Sequence, residues 1–192
     1  MLHIVKTWHT FSLNYQVKHE TRITAVFHNA LIEAYLAADR SWFITLEDPI
    51  TDPEFGTELG RNDLRFYPPN HFGQTVFFTV ECKRLRVAAK TGMDQLAGEY
   101  VEAGIQRFVD GQYSAGLPCG GMVGYVMDNE KSKAFVAVQS AIKSRRRKLK
   151  LRQQGLRVPS AVLPEYEWSA DTQHKVSGQD FAVHHALLGV KA

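Results

Sequence analysis

The stretch from Arg61 to Leu85 constrains the fold more than any other part of this sequence, because an apolar run ends there in closely spaced charges. Every residue from Thr75 to Val80 is β-branched or aromatic, which predicts a buried strand. Glu81, Cys82 and Lys83 follow this run directly. Because side chains alternate across a strand, we expect Glu81 and Lys83 on one face and Cys82 on the other. A buried carboxylate and ammonium are costly unless they pair or bind something, so this strand end is a candidate functional site.

A second carboxylate, Asp63, lies eighteen residues before Glu81 in the shorter run NDLRFY, which also predicts a strand. A turn between the two strands is indicated by Pro68, Pro69, Asn70 and Gly73. The resulting hairpin is expected to bring Asp63, Glu81 and Lys83 to one end of a sheet. Two carboxylates and a lysine in that arrangement suit a hard divalent cation.

The pattern of Asp63 followed by Glu81-x-Lys83 at the end of an apolar strand resembles the signature of the PD-(D/E)XK nuclease superfamily, with Asn62 in place of the proline. The resemblance implies a restriction-endonuclease-like α/β (α+β) fold, in which a mixed central sheet is flanked by helices in the order αβββαβ. The nuclease-like core is assigned to residues 20–127 of a single domain, 1–192. Residues 128–192 are predicted to form a basic helix and a helical or irregular extension that packs on the core.

The resemblance also implies roles for the site residues. Asp63, Glu81 and the backbone carbonyl of Cys82 are expected to bind Mg²⁺, for which Mn²⁺ can substitute. Lys83 is expected to orient the nucleophile and to stabilise developing negative charge. The reaction is then the in-line hydrolysis of phosphodiester bonds in nucleic acid, with DNA favoured. A small chain of this kind is similar to nucleases of prokaryotic defence or mobile-element systems.

A helix is predicted from about Glu20 to Ala38, with a buried stripe that includes Ile23, Phe27 and Leu31. Glu33 falls on the same stripe by spacing and is expected to face inward. It either pairs with an arginine or reaches the edge of the helix, or, as the resemblance implies, it is a third catalytic carboxylate at the metal site.

A second helix is predicted from Met93 to Phe108, where apolar residues keep a helical period and Gly111 supplies the stop. Gly98 and Gly104 within it indicate points of close packing. Gln95 stands near the start of this helix, where several groups of the superfamily carry a glutamine, and it is a further candidate site residue. The spacing to Tyr100 is one residue longer than in those groups, and Tyr100 itself is interpreted as a core residue.

The charge distribution indicates a polyanionic partner. Ten Lys or Arg and no Asp or Glu lie between Lys131 and Arg157, and subtracting them from the net charge of +3 leaves −7 for the rest of the chain. A helix from Asn129 to about Gln153 is predicted to carry most of them. Six of these cations exceed what a helix C-terminus needs and are predicted to contact nucleic-acid phosphates: Arg145, Arg146, Arg147, Lys148, Lys150 and Arg152. The alternative is an ordinary solvated helix face.

Several other classes of protein are disfavoured. The two cysteines form no CxxC pair, and the sequence has no P-loop, no GxGxxG after a strand and no GxSxG elbow. No apolar stretch has the length of a membrane span and the N-terminal residues lack a signal-peptide pattern, so no membrane partner is expected and a cytoplasmic location is predicted.

Two alternatives to catalysis stay open: a non-catalytic nucleic-acid-binding protein, and an assembly subunit that keeps the nuclease fold. A homodimer and a partner protein of a defence system are both compatible with the sequence. The spacing of His174, His184 and His185 fits no zinc site, and these residues are interpreted as core or surface histidines.

Overall fold

The computed structural model of the chain describes residues 1–13, 16–38, 42–51, 54–69, 76–114, 116–152 and 155–191. Three residues assigned to the predicted turn and to the start of the strand that follows it lie outside these ranges: Asn70, Gly73 and Thr75.

A six-stranded mixed sheet forms the centre of the molecule. Its strands are β1 (Phe43–Thr51), β2 (Glu58–Tyr67), β3 (Phe78–Leu85), β6 (Cys119–Val126), β7 (Ser169–Val176) and β8 (Gln179–Gly189). Their spatial order is β1-β2-β3-β6-β8-β7. The neighbours β3, β6 and β8 run parallel, whereas the β1–β2, β2–β3 and β7–β8 pairs are antiparallel. Two short strands, β4 (Val87–Ala89) and β5 (Gly92–Asp94), form a separate hairpin.

Helices cover both faces of this sheet. One face packs against α1 (Leu2–Thr10) and α2 (Glu20–Ala37), which contribute Trp8, Phe27 and Leu31 to the core. The other face packs against α5 (Lys131–Ser144) and a continuous helical segment: α3 (Ala97–Tyr100), a π-helical turn (Val101–Ile105) and α4 (Gln106–Val109). The predicted mixed sheet flanked by helices is confirmed.

Both ends of the chain pack as regular elements of the fold. The N-terminal residues form α1, because Ile4, Val5 and Trp8 lie on one side of a helix and are buried. The C-terminal residues, predicted to be helical or irregular, instead contribute β7 and β8 to the central sheet. The main sheet therefore extends to Gly189 and is two strands wider than predicted.

β1 and β2 form a long hairpin at one edge of the sheet. Pairing continues from Phe43 opposite Tyr67 as far as Thr51 opposite Glu58. Pro49 is tolerated within β1 because β1 is an edge strand of the sheet, where one row of backbone groups needs no ladder partner.

Candidate active site

The predicted site lies where β2 and β3 separate. These strands pair only from Phe66 opposite Phe78 to Leu64 opposite Val80, so their ladder stops one residue before Asp63 and Glu81. Beyond that point β2 continues along β1, whereas β3 continues along β6. We call this opening between β2 and β3 the fork.

Carboxylates take the place of ladder partners at the fork. The backbone N–H of Cys82 donates to Asp63 Oδ2 over 2.7 Å. The backbone N–H of Arg84 donates to Glu20 Oε2 over 2.8 Å, and Glu20 is the first residue of α2. Because both donors would otherwise lack a strand partner, these bonds satisfy the backbone and fix the two acids beside β3.

Lys83 is the centre of the cluster. Its Nζ donates to Glu81 Oε1 over 2.7 Å, to Glu20 Oε1 over 3.0 Å and to the Cys82 carbonyl over 2.9 Å. Asp63 Oδ2 lies 3.9 Å from the same nitrogen. Burial alone lowers the pKa of Lys83, but Glu81, Asp63 and Glu20 outweigh this effect and raise it above the ordinary value. Lys83 is therefore a cation at every physiological pH.

Glu81 is the most buried acid of the cluster, with 1% of its surface exposed. Its Oε1 accepts from Lys83, and the Nη1 of Arg107 lies 3.5 Å away from that same oxygen. Among the residues that the structure describes, its Oε2 has no hydrogen-bond partner. Burial and the neighbouring Asp63 carboxylate raise the pKa of Glu81 to about 8, against the opposing effect of Lys83 and Arg107. Burial likewise raises the pKa of Asp63, although Lys83 and the Cys82 N–H oppose it.

Arg107 and Tyr113 complete the side of the site that faces α4, and neither was predicted from the sequence. Arg107 donates to the Tyr113 hydroxyl, which in turn donates to the carbonyl of Arg61 on β2 over 2.8 Å. This chain of contacts holds the Arg107 guanidinium beside Glu81. In the helical pattern of the sequence, Arg107 looks like any solvent-exposed helix residue. Its place in the site could therefore not be predicted from the sequence.

The predicted division of the strand faces is confirmed. Cys82 is fully buried in the core beneath α1 and α2. Lys83 lies on the opposite face, against the π-helical turn, where a Cβ at Gly104 would stand 3.8 Å from Lys83 Cγ and 2.5 Å from Met122 Cε. Gly104 thus permits the close approach of this turn to Met122 of β6 beside Lys83, and the close packing that the sequence indicated is present here.

The prediction that Glu33 faces the site is wrong. Glu33 is exposed, because the buried side of α2 is formed by Ile23, Phe27, Leu31 and their neighbours at four-residue intervals. The acid that α2 contributes to the cluster is Glu20, the first residue of the helix. Its position in the first turn could have been read from the predicted start of the helix, but its contact with Lys83 depends on how α2 crosses the sheet.

Gln95 belongs to a different cluster. It is exposed and precedes α3 rather than beginning it, and its Oε1 accepts from Arg86 Nη1 over 3.0 Å. Arg86 also forms an ion pair with Asp128 at 2.7 Å. The structure therefore does not bring Gln95 to Asp63, Glu81 and Lys83.

The basic segment, residues 145–152, differs from its predicted form. The helix α5 ends at Ser144, and the segment continues as turns in place of the predicted helix to Gln153, which lies outside the described residues. Arg145 pairs with Glu102 at 2.8 Å, and Arg152 pairs with Asp180. The other four predicted phosphate contacts are exposed and form no ion pair within the described part of the chain: Arg146, Arg147, Lys148 and Lys150.

The three C-terminal histidines lie on β7 and β8, away from the fork. His174 and His185 are buried and share the hydroxyl of Thr172, at 2.7 and 2.9 Å. Burial lowers the pKa of His174 to about 4 and that of His185 to about 3, so both are neutral core residues. His184 faces the other side of the sheet and pairs with Asp171 at 2.8 Å.

The oxygen atoms at the fork are of the kind that binds divalent cations, but they surround an ammonium group. Across the described residues, no three His, Cys, Asp or Glu side chains are spaced to hold a metal on their own, because the acids at the fork are gathered around Lys83. The buried Glu81 Oε2 nevertheless lacks a partner, and an orphaned carboxylate oxygen is a costly feature that a cation would relieve. The donors present are carboxylate and carbonyl oxygens, which Mg²⁺ prefers.

The chain matches no protein-family model, no curated protein and no solved structure. In the described part of the chain, no helix is long and apolar enough to cross a membrane.

Proposed function

We propose that this protein is a metal-dependent nuclease that hydrolyses phosphodiester bonds, with DNA as the favoured substrate, and that it is a member of the PD-(D/E)XK superfamily. The observation that carries the proposal is the fork, where Asp63, Glu81 and Glu20 surround the ammonium of Lys83 at the end of a buried strand. A surface ion pair would have no reason to bury Glu81 almost completely and leave one of its oxygens without a partner in the described part of the chain.

Asp63, Glu81 and the Cys82 carbonyl would hold the metal, and Glu20, which the sequence did not predict, would supply a further oxygen beside them. When bound, Mg²⁺ withdraws electron density from the scissile phosphate and increases the acidity of water beside it. A cation there also favours the ionised form of Glu81, whose pKa of about 8 otherwise keeps it largely protonated at neutral pH.

Lys83 acts as a hydrogen-bond donor and not as a base, because its raised pKa keeps the ammonium charged. All three of its N–H bonds are used by Glu81, Glu20 and Cys82, so a phosphate oxygen must replace one of these acceptors. The ammonium then stabilises the charge that develops on the phosphate. Arg107, held by Tyr113, offers a second cation on the same side of Glu81.

The proton released by the attacking water needs an acceptor. Because Glu81 Oε2 would be taken up by the metal, that acceptor is solvent water, which reaches the cluster beside Asp63, whose side chain is 20% exposed. The displacement is in line and forms no covalent intermediate with the protein.

The test is cleavage of plasmid and single-stranded DNA with Mg²⁺ or Mn²⁺. We expect the wild-type protein to cut only with metal, and we expect Glu81→Ala and Lys83→Ala to lose activity by about 10²-fold or more. Lys133→Ala is the matched control for Lys83→Ala, since Lys133 is exposed on α5, and it should cut at the wild-type rate. Wild-type protein that never cuts nucleic acid with either metal would overturn the proposal.

A second candidate function is non-catalytic binding of nucleic acid, or assembly with an acidic partner. The four exposed cations of the basic segment, which form no ion pair with any residue that the structure describes, favour it. Under this alternative, binding weakens steeply with salt, no cleavage occurs with any metal, and Glu81→Ala binds as the wild type does.

A further inference from the structure

A second cluster of reactive side chains lies on the face of the sheet that packs against α1 and α2. Cys119, His184 and Asp171 stand in a row on the three neighbouring strands β6, β8 and β7. Asp171 is directly opposite His184, and Cys119 pairs with Ala182, two residues before His184 on the same face.

The carboxylate of this row is firmly held. Asp171 is 2% exposed, and its two oxygens accept from Ser160 Oγ over 2.6 Å and from the Ala161 N–H over 2.7 Å. Its Oδ1 also accepts from His184 Nδ1 over 2.8 Å. Although burial alone raises it, these hydrogen bonds lower the pKa of Asp171 to about 2, so the carboxylate is ionised and orients the imidazole.

His184 is correspondingly a cation. Burial lowers its pKa, but Asp171 and Cys119 together raise it to about 9. Because Asp171 occupies Nδ1, the ring nitrogen available to the Cys119 side chain is Nε2. A thiol beside an imidazole that a buried carboxylate orients is the arrangement of an activated nucleophile.

An apolar cavity of about 410 Å³ opens onto this row. Cys119 and His184 are part of its wall, and apolar side chains supply most of the remainder, among them Leu2, Ile4, Trp42, Phe66 and Phe78. Cys119 is half-buried and carries no disulfide. A cavity of this size, with apolar walls and few convergent polar groups, matches a small-molecule site.

We propose that Cys119 is an acyl-accepting nucleophile, with His184 as its acid–base partner and Asp171 as the positioning residue, for an apolar acyl group delivered as a thioester. The reacting form is the ion pair in which the Cys119 proton resides on His184 Nε2. The Cys119 thiolate sulfur forms a bond to the thioester carbonyl carbon, and the bond from that carbon to the departing sulfur breaks. The departing thiolate takes the proton from His184 Nε2, so no redox step or further reactant is needed.

Two features favour acyl transfer to Cys119 over simple alkylation of its thiol. A departing thiolate needs a proton, and a protonated His184 beside Cys119 supplies one, whereas alkylation of a thiol requires no such donor. The apolar walls select an acyl chain over a charged or strongly polar group. This site is separate from the fork and does not depend on nuclease activity.

The experiment exposes the native protein to the octanoyl and acetyl thioesters of N-acetylcysteamine and follows adducts by intact mass and peptide mapping. We expect one octanoyl group on Cys119 and none on Cys82, which is fully buried and serves as an internal control. His184→Gln should react about 10²-fold more slowly. Octanoyl should transfer faster than acetyl, a comparison that needs no variant and holds even if His184→Gln folds poorly.

Three results would overturn the proposal. They are the absence of an adduct on native protein, equal modification of Cys82 and Cys119, and a transfer rate that is the same for octanoyl as for acetyl. An unchanged rate in folded His184→Gln would likewise contradict the role of the imidazole.

Discussion

Glu81 combines features that an acid at the end of an ordinary strand lacks. It is almost completely buried, shares one oxygen between two cations, and leaves the other without a partner among the described residues. Burial and the Asp63 carboxylate raise its pKa to about 8. The folded protein therefore keeps a proton on Glu81 over a range of pH in which the unfolded chain releases it.

This linkage predicts how stability depends on pH. Between about pH 4.5 and pH 8 the native state binds one more proton at Glu81 than the unfolded state, so the free energy of unfolding falls as the pH rises, by up to about 1.4 kcal/mol per pH unit. Glu81→Gln cannot lose a proton and should become more stable relative to the wild type as the pH rises. Urea denaturation of both proteins at several pH values between 5 and 8 measures the difference.

The matched control is Glu33→Gln, which removes an exposed acid from α2. Its stability should change with pH in parallel with that of the wild type. If the Glu81→Gln curve also runs parallel to the wild-type curve across this range, the raised pKa of Glu81 is wrong.

Three residues of the candidate site could be predicted from the sequence and others could not. Asp63, Glu81 and Lys83 were predicted because the apolar run, the strand alternation and the spacing are local features of the chain. Glu20 and Arg107 reach the same cluster from two helices on opposite faces of the sheet. Contacts of that kind depend on how the helices cross the sheet, which helical periodicity does not specify.

At the scale of elements, the π-helical turn positions the helical segment over the site. Gly104 in this turn lies against Met122 of β6 and Lys83 of β3, and π-helical turns often occur at functional sites. We expect Gly104→Ala to destabilise the fold by about 1–3 kcal/mol, because the new Cβ would stand 2.5 Å from Met122 Cε and 3.2 Å from its Sδ, and Met122 is fully buried and has little room to move. Chemical denaturation measures the effect, and shortening Met122 to valine in the same protein should restore part of the loss.

Gly98→Ala provides the comparison within the same helical segment. A Cβ at Gly98 would lie 3.4 Å from Arg145 Nη2, the end of a flexible side chain, and alanine favours a helix over glycine by up to about 1 kcal/mol. This variant should be neutral or slightly stabilised. Equal losses in the two variants would contradict the role of the Met122 contact, because helix propensity favours alanine at both positions.

The hairpin of β7 and β8 shows why part of the fold was missed. The strands are joined by Ser177 and Gly178, whose φ values of 48° and 81° fit a two-residue hairpin turn, and this pair was a readable signal. β7 itself carries no apolar run. Some of its buried positions hold polar residues instead, such as Thr172 and His174, which form a hydrogen bond with each other. A strand that buries polar groups in this way is invisible to a search for hydrophobic periodicity.

At the scale of the whole molecule, the basic segment and the fork share one face of the sheet. Arg145 pairs with Glu102 of the π-helical turn, and the same turn contacts Lys83 through Gly104. A polyanion bound along the basic segment would therefore lie on the side of the sheet from which Glu81 and Lys83 project. The acidic remainder of the chain disfavours binding elsewhere.

This arrangement predicts a salt-dependent binding surface. Replacing Arg146 and Arg147 with alanine should weaken DNA binding and reduce the slope of log K against log salt by about 1 for each phosphate contact removed. Arg152→Ala is the control, since Asp180 already neutralises this cation, and it should change the slope less. Fluorescence anisotropy at several salt concentrations measures both, and an unchanged slope in the double variant would exclude this segment from the interface.

The most direct test of the catalytic site compares metal-dependent DNA cleavage by Glu20→Gln and Glu33→Gln. The two variants remove the same charge from the same helix, but only Glu20 contacts Lys83 and the backbone of β3. We expect Glu33→Gln to cut at the wild-type rate in Mg²⁺, and Glu20→Gln to cut at least about 10-fold more slowly, the loss typical of weakened metal-site support. Equal rates in the two variants, or a wild-type protein that cuts no DNA with Mg²⁺ or Mn²⁺, would contradict the assignment of the fork as the active site.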